Sequence, residues 1–190
     1  MIRKAGATIV CIVLVLMGCS KYQQIEEAAL SDIVNDYLAK NRAIRRISMY
    51  NDSTYSYYPV YISQHFLPLY YVRSTDAWLF LDTLSTPEND SLFRSLTTSE
   101  RIDALDYRTW NNRVFLADSL YAQIENPIPF NHQGIGYIDF QFSRICFDKT
   151  FSFGLVWLEY MNRIGDSGQG ELKLLLIENT ASGWRIREKT

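Results

Sequence analysis

The sequence predicts an α+β fold, in which an N-terminal helix and a mid-chain helix pack on a curved antiparallel sheet that ends in a three-stranded meander. Apolar residues recur every four positions after residue 24 and every second position through the last third of the chain. With 47% apolar and 21% charged residues among 190, the composition is that of one globular domain. The net charge of -2 provides no basic surface for nucleic acid.

The chain begins with a basic pair followed by a short uncharged stretch. Arg3 and Lys4 precede the apolar run 5–17. This run is shorter than the about 20 helical residues that cross a bilayer. A basic start before a short apolar run is typical of a secretory signal, so we predict a signal peptide over residues 1–18. The alternative is an uncleaved membrane helix.

The residues Leu16-Met17-Gly18-Cys19 close this run and resemble the lipobox of bacterial lipoproteins. The resemblance implies cleavage between Gly18 and Cys19, with a diacylglyceryl group on the cysteine thiol and an acyl chain on the freed amine. Several acyl chains hold a protein permanently on a membrane, since each buried methylene contributes about 0.8 kcal/mol. The implied location is the bacterial envelope, and Ser20 in place of aspartate favours the outer membrane.

A tether over 19–24 is expected to lead into a single domain over 25–190. The first element of that domain is a helix over Gln24–Asn41, with Glu26 and Glu27 in its first turn, where the helix dipole favours acidic residues. Its apolar positions are Ile25, Ala29, Leu30, Ile33, Val34, Tyr37 and Leu38.

Strands are expected in the tyrosine-rich stretch that follows, near Ser48–Tyr50, Thr54–Ile62 and Leu69–Val72. Pro59 predicts an edge position for the second of these strands, because proline cannot donate to a sheet ladder.

The middle of the chain is expected to contain one helix. The segment Leu84–Asp90 reads as a polar loop, and Thr97 with Glu100 resembles a capping box that opens a helix to about Arg108. The segment 112–124 fits either a helix or a strand.

Alternation of apolar and polar residues in the last third predicts strands around 138–143, 151–160, 172–177 and 184–187. The second of these is apolar on both faces, which places it inside the sheet. The connections between the last three strands are expected at Asn162–Gly170 and Thr180–Gly183.

The same region contains, in order, Ser143-Arg144-Ile145-Cys146-Phe147, Gly154-Leu155-Val156-Trp157, Gly168-Gln169-Gly170-Glu171 and Gly183-Trp184-Arg185-Ile186. This order is similar to a C-terminal block of uncharacterised bacterial lipoproteins and secreted proteins. By analogy of shape, such proteins have cystatin-like or nuclear-transport-factor-like folds.

Tyrosines suggest a face for a ligand or partner, because they combine a broad apolar surface with a polar tip. The candidate residues are Tyr55, Tyr57, Tyr58 and Tyr61. A glycan or another envelope protein is the expected partner, and cross-strand packing within the sheet is the alternative.

Residues for catalysis are sparse. Gly165-Asp166-Ser167-Gly168-Gln169 resembles the sequence around the nucleophile of trypsin-like proteases, but Gln169 replaces a glycine, and a hairpin loop explains the segment better. The two histidines, His65 and His132, have no metal-ligand spacing. Cys146 between apolar neighbours reads as an inert thiol. No metal or cofactor is predicted.

The sequence thus favours a membrane-tethered, non-catalytic binding or scaffolding domain. The alternative is a small envelope hydrolase that uses His65 or His132 as its base, and a structural subunit of a larger envelope assembly is a third possibility.

Overall fold

The computed structural model describes residues 3–40, 50–51, 56–67, 86–97, 114–128, 136–164 and 167–187. Two helices and eight strands occur in this part of the chain. In chain order they are α1 (Arg3–Lys40), β1 (Tyr50–Asn51), β2 (Ser56–Ile62), α2 (Pro87–Leu96), β3 (Tyr121–Ile124), β4 (Gly136–Phe142), β5 (Cys146–Phe147), β6 (Phe153–Ile164), β7 (Ser167–Thr180) and β8 (Gly183–Ile186).

The strands form one strongly curled sheet in the order β1-β2-β4-β6-β7-β8, with β3 paired to β2 and β5 paired to β6. The predicted α+β class is confirmed, and so is the antiparallel meander of β6, β7 and β8. The sheet is mixed rather than wholly antiparallel, because β2 runs parallel to both β3 and β4.

Each face of the sheet is covered by one helix. The first core lies between the sheet and α1 and contains Leu30, Ile33, Phe140, Val156 and Leu175, among others. The second core lies on the opposite face, where Leu96 of α2 packs with a separate set of buried side chains. That set is Cys146, Leu155, Trp157, Leu174 and Leu176. As predicted, β6 is therefore buried on both faces and lies inside the sheet.

Helix α1 includes the predicted helix as far as Lys40, and Asn41 lies outside the described residues. The helix continues toward the N-terminus as far as Arg3, so the segment 19–24, predicted as a tether, is helical. From Tyr22 onward it packs on the first core. None of the helices in the described part of the chain combines the length and the apolar character needed to cross a membrane.

The predicted edge position of Pro59 is wrong, because β2 lies between β3 and β4. Tyr58 donates its N–H to the Leu120 carbonyl on the β3 side at 2.7 Å. The nitrogen of the next residue, Pro59, therefore faces β4. Pairing with β4 begins only at Val60, opposite Ile138, so the missing N–H of the proline interrupts no ladder.

The predicted polar loop Leu84–Asp90 is wrong from Pro87 onward, where α2 begins, and residues 84–85 lie outside the described residues. The hydroxyl of Thr86 accepts the N–H of Asn89 at 3.1 Å, and proline occupies the first helical position. Thr97 caps the C-terminal end of this helix. The rest of the helix predicted to run to Arg108 lies outside the described residues.

Two further predictions are refined. The segment 112–124 contains a strand, β3, at Tyr121–Ile124. The connection predicted at Asn162–Gly170 is mostly strand, because β6 and β7 pair as far as Ile164 and Ser167. The predicted strand Leu69–Val72 lies outside the described residues.

Candidate functional site

The predicted lipid-attachment residue, Cys19, lies in α1 three positions before Tyr22. The Tyr22 hydroxyl donates to the carbonyl of Ile145. Its ring makes edge contacts with Phe147 and Phe151 at centroid distances of 5.4 and 5.9 Å. The pKa of Tyr22 is raised, mainly by burial and to a smaller extent by the nearby Glu26 carboxylate. The helix is therefore fixed to the folded body within one turn of Cys19.

One turn further on, the buried Glu26 forms a fully hydrogen-bonded ion pair. Arg144 Nε donates to both carboxylate oxygens at 2.9 and 2.8 Å, and the Ile145 N–H donates to one of them at 2.8 Å. The Arg144 guanidinium also stacks over the rings of Tyr22 and Phe66 at 5.5 and 5.3 Å. Burial raises the pKa of Glu26, while Arg144 and the Ile145 N–H oppose that shift. This pair holds the segment between β4 and β5 against α1.

Two carboxylates on α1 cover the outer edge of β8. Asp32 accepts the N–H of Trp184 at 2.9 Å, and Asp36 accepts the N–H of Ile186 at 3.1 Å. Asp36 also pairs with Lys40 at 2.9 Å. Because Asp32 and Asp36 are four residues apart, they lie on one face of the helix and reach alternate residues of the strand. Strand β8 is thereby closed to further pairing at these two positions.

The candidate tyrosines do not form one surface. Tyr58 lies on the α1 side of the sheet, where its ring packs near that of Tyr121 at 5.8 Å. Tyr57 and Tyr61 alternate with it and therefore lie on the opposite face, each partly exposed. Tyr55 lies outside the described residues. The candidate face is thus reduced to Tyr57 and Tyr61.

Polar side chains that sequence reasoning missed adjoin Tyr61 on that face. Asp139 is opposite Tyr61 in the parallel pairing of β2 and β4. Arg163 Nε pairs with the Asp139 carboxylate at 2.7 Å. The pKa of the neighbouring Tyr137 is raised, mainly by burial and to a smaller extent by the negative charge of Asp139. The alternation of Asp139 and Gln141 with buried residues was the only signal for this face in the sequence.

This tyrosine–arginine face is defined by Tyr57, Tyr61, Asp139 and Arg163. It combines aromatic surface with a partly exposed ion pair, since the Asp139 and Arg163 side chains are 16% and 34% exposed. Such a surface can stack on a flat apolar group and hydrogen-bond to hydroxyl or amide groups.

The residues considered for catalysis are not brought together by the described part of the chain. His65 is exposed, and its carbonyl accepts from Gln141 at 3.0 Å. Ser167 begins β7 and is also exposed, whereas the Cys146 thiol is buried in the second core. His132 and Asp166 lie outside the described residues. Within the described ranges, no group of three or more His, Cys, Asp or Glu residues could hold a metal ion.

Comparisons with models of protein families, with curated proteins and with solved structures find no match to this chain.

Proposed function

We propose that this chain is a lipoprotein of the bacterial envelope, tethered to a membrane, whose folded domain is a non-catalytic binding or scaffolding module. The observation that carries the proposal is the sequence Leu16-Met17-Gly18-Cys19, which resembles a lipobox and follows a basic start and a short apolar run. Lipid on Cys19 anchors the mature chain at its first residue, and the outer membrane is the preferred location.

The attachment of α1 to the body supports this role. An α-helix rises 1.5 Å per residue, so Cys19 stands about 4.5 Å along the axis from Tyr22. Tyr22 and Glu26 are bound to the segment Arg144–Ile145. The body of a lipidated protein is then held close to the membrane surface, because little free chain separates its lipid from its first fixed residue.

The tyrosine–arginine face is the proposed contact surface for an envelope glycan or protein. Tyrosine buries a large area at low cost in side-chain entropy, and arginine supplies planar hydrogen bonding. Both features suit sugar hydroxyls and rings as well as peptide groups.

The tether is tested by expressing the full chain and Cys19→Ala in a bacterium and measuring intact mass and membrane content. The wild type is expected to lose residues 1–18, gain acyl mass and remain with the membranes. Cys19→Ala is expected to lack the acyl mass. Cys11→Ala is the matched control, because Cys11 precedes the cleavage site, and it should yield the same mature mass as the wild type. An identical mass and membrane fraction for Cys19→Ala and the wild type would contradict the proposal.

The binding role is tested separately, with purified peptidoglycan and detergent-solubilised envelope proteins as the two probes. Tyr61→Ala is expected to weaken capture of the bound probe by about fivefold, the equivalent of about 1 kcal/mol at an aromatic contact. Leu120→Ala, a change at an exposed residue of the turn before β3, should leave capture unchanged. Failure of the wild type to capture either probe would overturn the binding role while leaving the tether intact.

A further inference from the structure

Among the described residues, the outer edge of β7 is open near the N-terminal end of the strand. Strand β8 pairs with β7 only along Ile177–Thr180. Toward the N-terminal end of β7, no strand in the described ranges pairs with the outer side of 167–172, and each of these six residues is exposed. An open strand edge of this kind is a template for pairing with another chain.

The main-chain groups along this edge point away from β6. The N–H of Arg187 bonds to the carbonyl of Leu176 at 2.9 Å, so Leu176 faces the β8 side of β7. Main-chain groups alternate in direction along a strand. Gly168, Gly170 and Leu172 therefore direct their N–H and C=O groups outward, where those groups can bond to a further strand.

We propose that this edge pairs with the same edge of a second copy of the chain, antiparallel, with Gly170 of each copy next to the two-fold axis. In this register Gly168 lies opposite Leu172 of the second copy, and Gly170 lies opposite its own equivalent. Each of these pairs exchanges two main-chain hydrogen bonds. The sheets of the two copies then form one continuous sheet, as closed two-fold symmetry allows.

The side chains of the edge are self-complementary in this register. The amide of Gln169 lies opposite the carboxylate of Glu171 in the second copy, and the pair occurs twice by symmetry. Leu172, which is 42% exposed, lies over Gly168 of the second copy, where no side chain opposes it. Cross-strand pairs of these kinds each contribute a few tenths of a kcal/mol or more.

Registers in which the axis moves toward the C-terminal end of β7 are disfavoured. Moving the axis to Glu171 places this carboxylate opposite its own equivalent in the second copy, and like charges directly opposite each other destabilise a sheet, although Lys173 pairs with Glu171 at 2.9 Å and offsets part of the repulsion. Moving it one residue further brings Gly168 of the second copy opposite Leu176. The Leu176 carbonyl already accepts the N–H of Arg187, so β8 obstructs this arrangement.

The pairing is tested by disulfide cross-linking of the full chain carrying Gln169→Cys and Glu171→Cys together. Directly opposed residues of a non-hydrogen-bonded antiparallel pair have Cα atoms about 4.5 Å apart, which suits a disulfide. Under mild oxidation this variant is expected to form a dimer that a reducing agent dissolves. The unmodified chain, with its own cysteines, sets the background.

Each single variant is the matched control, because cysteines at the same position of both copies lie diagonally, about 8 Å apart. We expect several-fold less dimer from either single variant than from the double variant. A monomeric double variant, or equal cross-linking by the single variants, would overturn the proposal. Leu172→Pro added to the double variant should abolish the dimer while the circular dichroism spectrum is preserved, because the Leu172 N–H faces outward. A dimer that persists in this folded variant would also overturn it.

Discussion

The Glu26–Arg144 pair lies between α1 and the segment that joins β4 to β5, and it shows how one residue fixes the position of a helix. Glu26 is 3% exposed, yet every contact that its burial requires is made, by Arg144 and by the Ile145 N–H. Removing one partner of a buried ion pair lowers the free energy of unfolding by more than the intact pair contributes to it, because the remaining charge stays buried without an opposite charge beside it.

Glu26→Gln is therefore expected to lower the free energy of unfolding by about 3 kcal/mol. Replacing both residues, as Glu26→Met with Arg144→Met, should recover most of this loss, because no buried charge then remains. Glu27→Gln is the matched control, since Glu27 is partly exposed and contacts Gln23 on the same helix. Urea denaturation measures all three. Equal losses for Glu26→Gln and Glu27→Gln would contradict the role given to the pair.

Asp148 gives the protein a specific acid sensitivity. Burial raises the pKa of its carboxyl, but hydrogen bonds from Phe153, Thr150 and Ser152 outweigh that effect, and the net pKa is lowered. A lowered folded-state pKa contributes stability above the unfolded value of about 3.9 and loses it as the pH falls through the folded value.

Asp148→Asn should therefore reduce stability at pH 7 and flatten the loss of stability below about pH 4. Denaturation midpoints measured from pH 7 to pH 2 check this expectation. Lys149→Gln, at the exposed neighbouring residue of the same turn, is the comparison, and it should keep the loss of stability that the wild type shows below about pH 4. If Asp148→Asn lost stability below pH 4 as steeply as the wild type does, the acid sensitivity would not come from Asp148.

The sequence could not predict the partner of Glu26. A glutamate near the expected start of a helix is explained by the helix dipole, and that explanation was wrong here because α1 continues far beyond Glu26 in the N-terminal direction. Arg144 lies 118 positions away in the chain. The prediction that the tyrosines form one face was partly wrong for a simpler reason. Successive side chains of β2 point to opposite faces of the sheet, which separates Tyr58 from Tyr57 and Tyr61.

At the scale of elements, predictability follows the strength of the periodic pattern. Strands β6, β7 and β8 were predicted because their apolar residues alternate over long stretches. Helix α2 was missed because its Pro87, Glu88 and Asp90 also suit a loop, although Thr86 before Pro87 is a regular helix start. The strand residues 167–170 were missed because an exposed, glycine-rich strand resembles a turn in sequence, and residues 162–164 were missed because they do not alternate between apolar and polar.

The junction of α1 with β8 depends on the glycine that opens this strand. Gly183 has a φ of +101°, and a Cβ atom there would stand 2.6 Å from Asp32 Oδ2. Gly183→Ala should therefore cost about 2 kcal/mol through backbone strain and displacement of the carboxylate.

Gly168→Ala provides the comparison for this prediction. The nearest atoms to a Cβ at Gly168 are the flexible Met161 Cε at 3.1 Å and the Asn162 carbonyl oxygen at 3.3 Å, so the cost should stay below about 1 kcal/mol. Thermal unfolding measures both variants. A Gly183→Ala variant as stable as Gly168→Ala would show that the carboxylate contact does not constrain this turn.

At the scale of the whole molecule, the two cores are built on opposite faces of the same strands. Val156 and Leu158 of β6 belong to the core beneath α1, whereas Leu155 and Trp157 of the same strand belong to the core beneath α2. The position of β6 inside the sheet was predicted from the sequence, because the strand is apolar on both faces. The parallel insertion of β2 beside β4 was not, because it depends on contacts between segments that are distant in the chain.

Because the two cores share these strands, neither can be lost while the other persists, and the domain should unfold in one cooperative transition. Ile33 and Leu96 are each fully buried, one in each core. Ile33→Ala and Leu96→Ala should each cost about 3 kcal/mol. Leu120→Ala, at a 44% exposed residue, should cost less than about 0.5 kcal/mol.

The readout is chemical denaturation followed by tryptophan fluorescence in two backgrounds. Both carry Trp78→Phe and Trp110→Phe. One adds Trp157→Phe and the other adds Trp184→Phe, so the single tryptophan that remains lies in the first core or in the second core respectively. Each core substitution should move the midpoint equally in both backgrounds, because the shared strands couple the two faces. If Leu96→Ala moved only the transition in the background that retains Trp157, the α2 face would unfold independently, and the coupling inferred from β6 would be wrong.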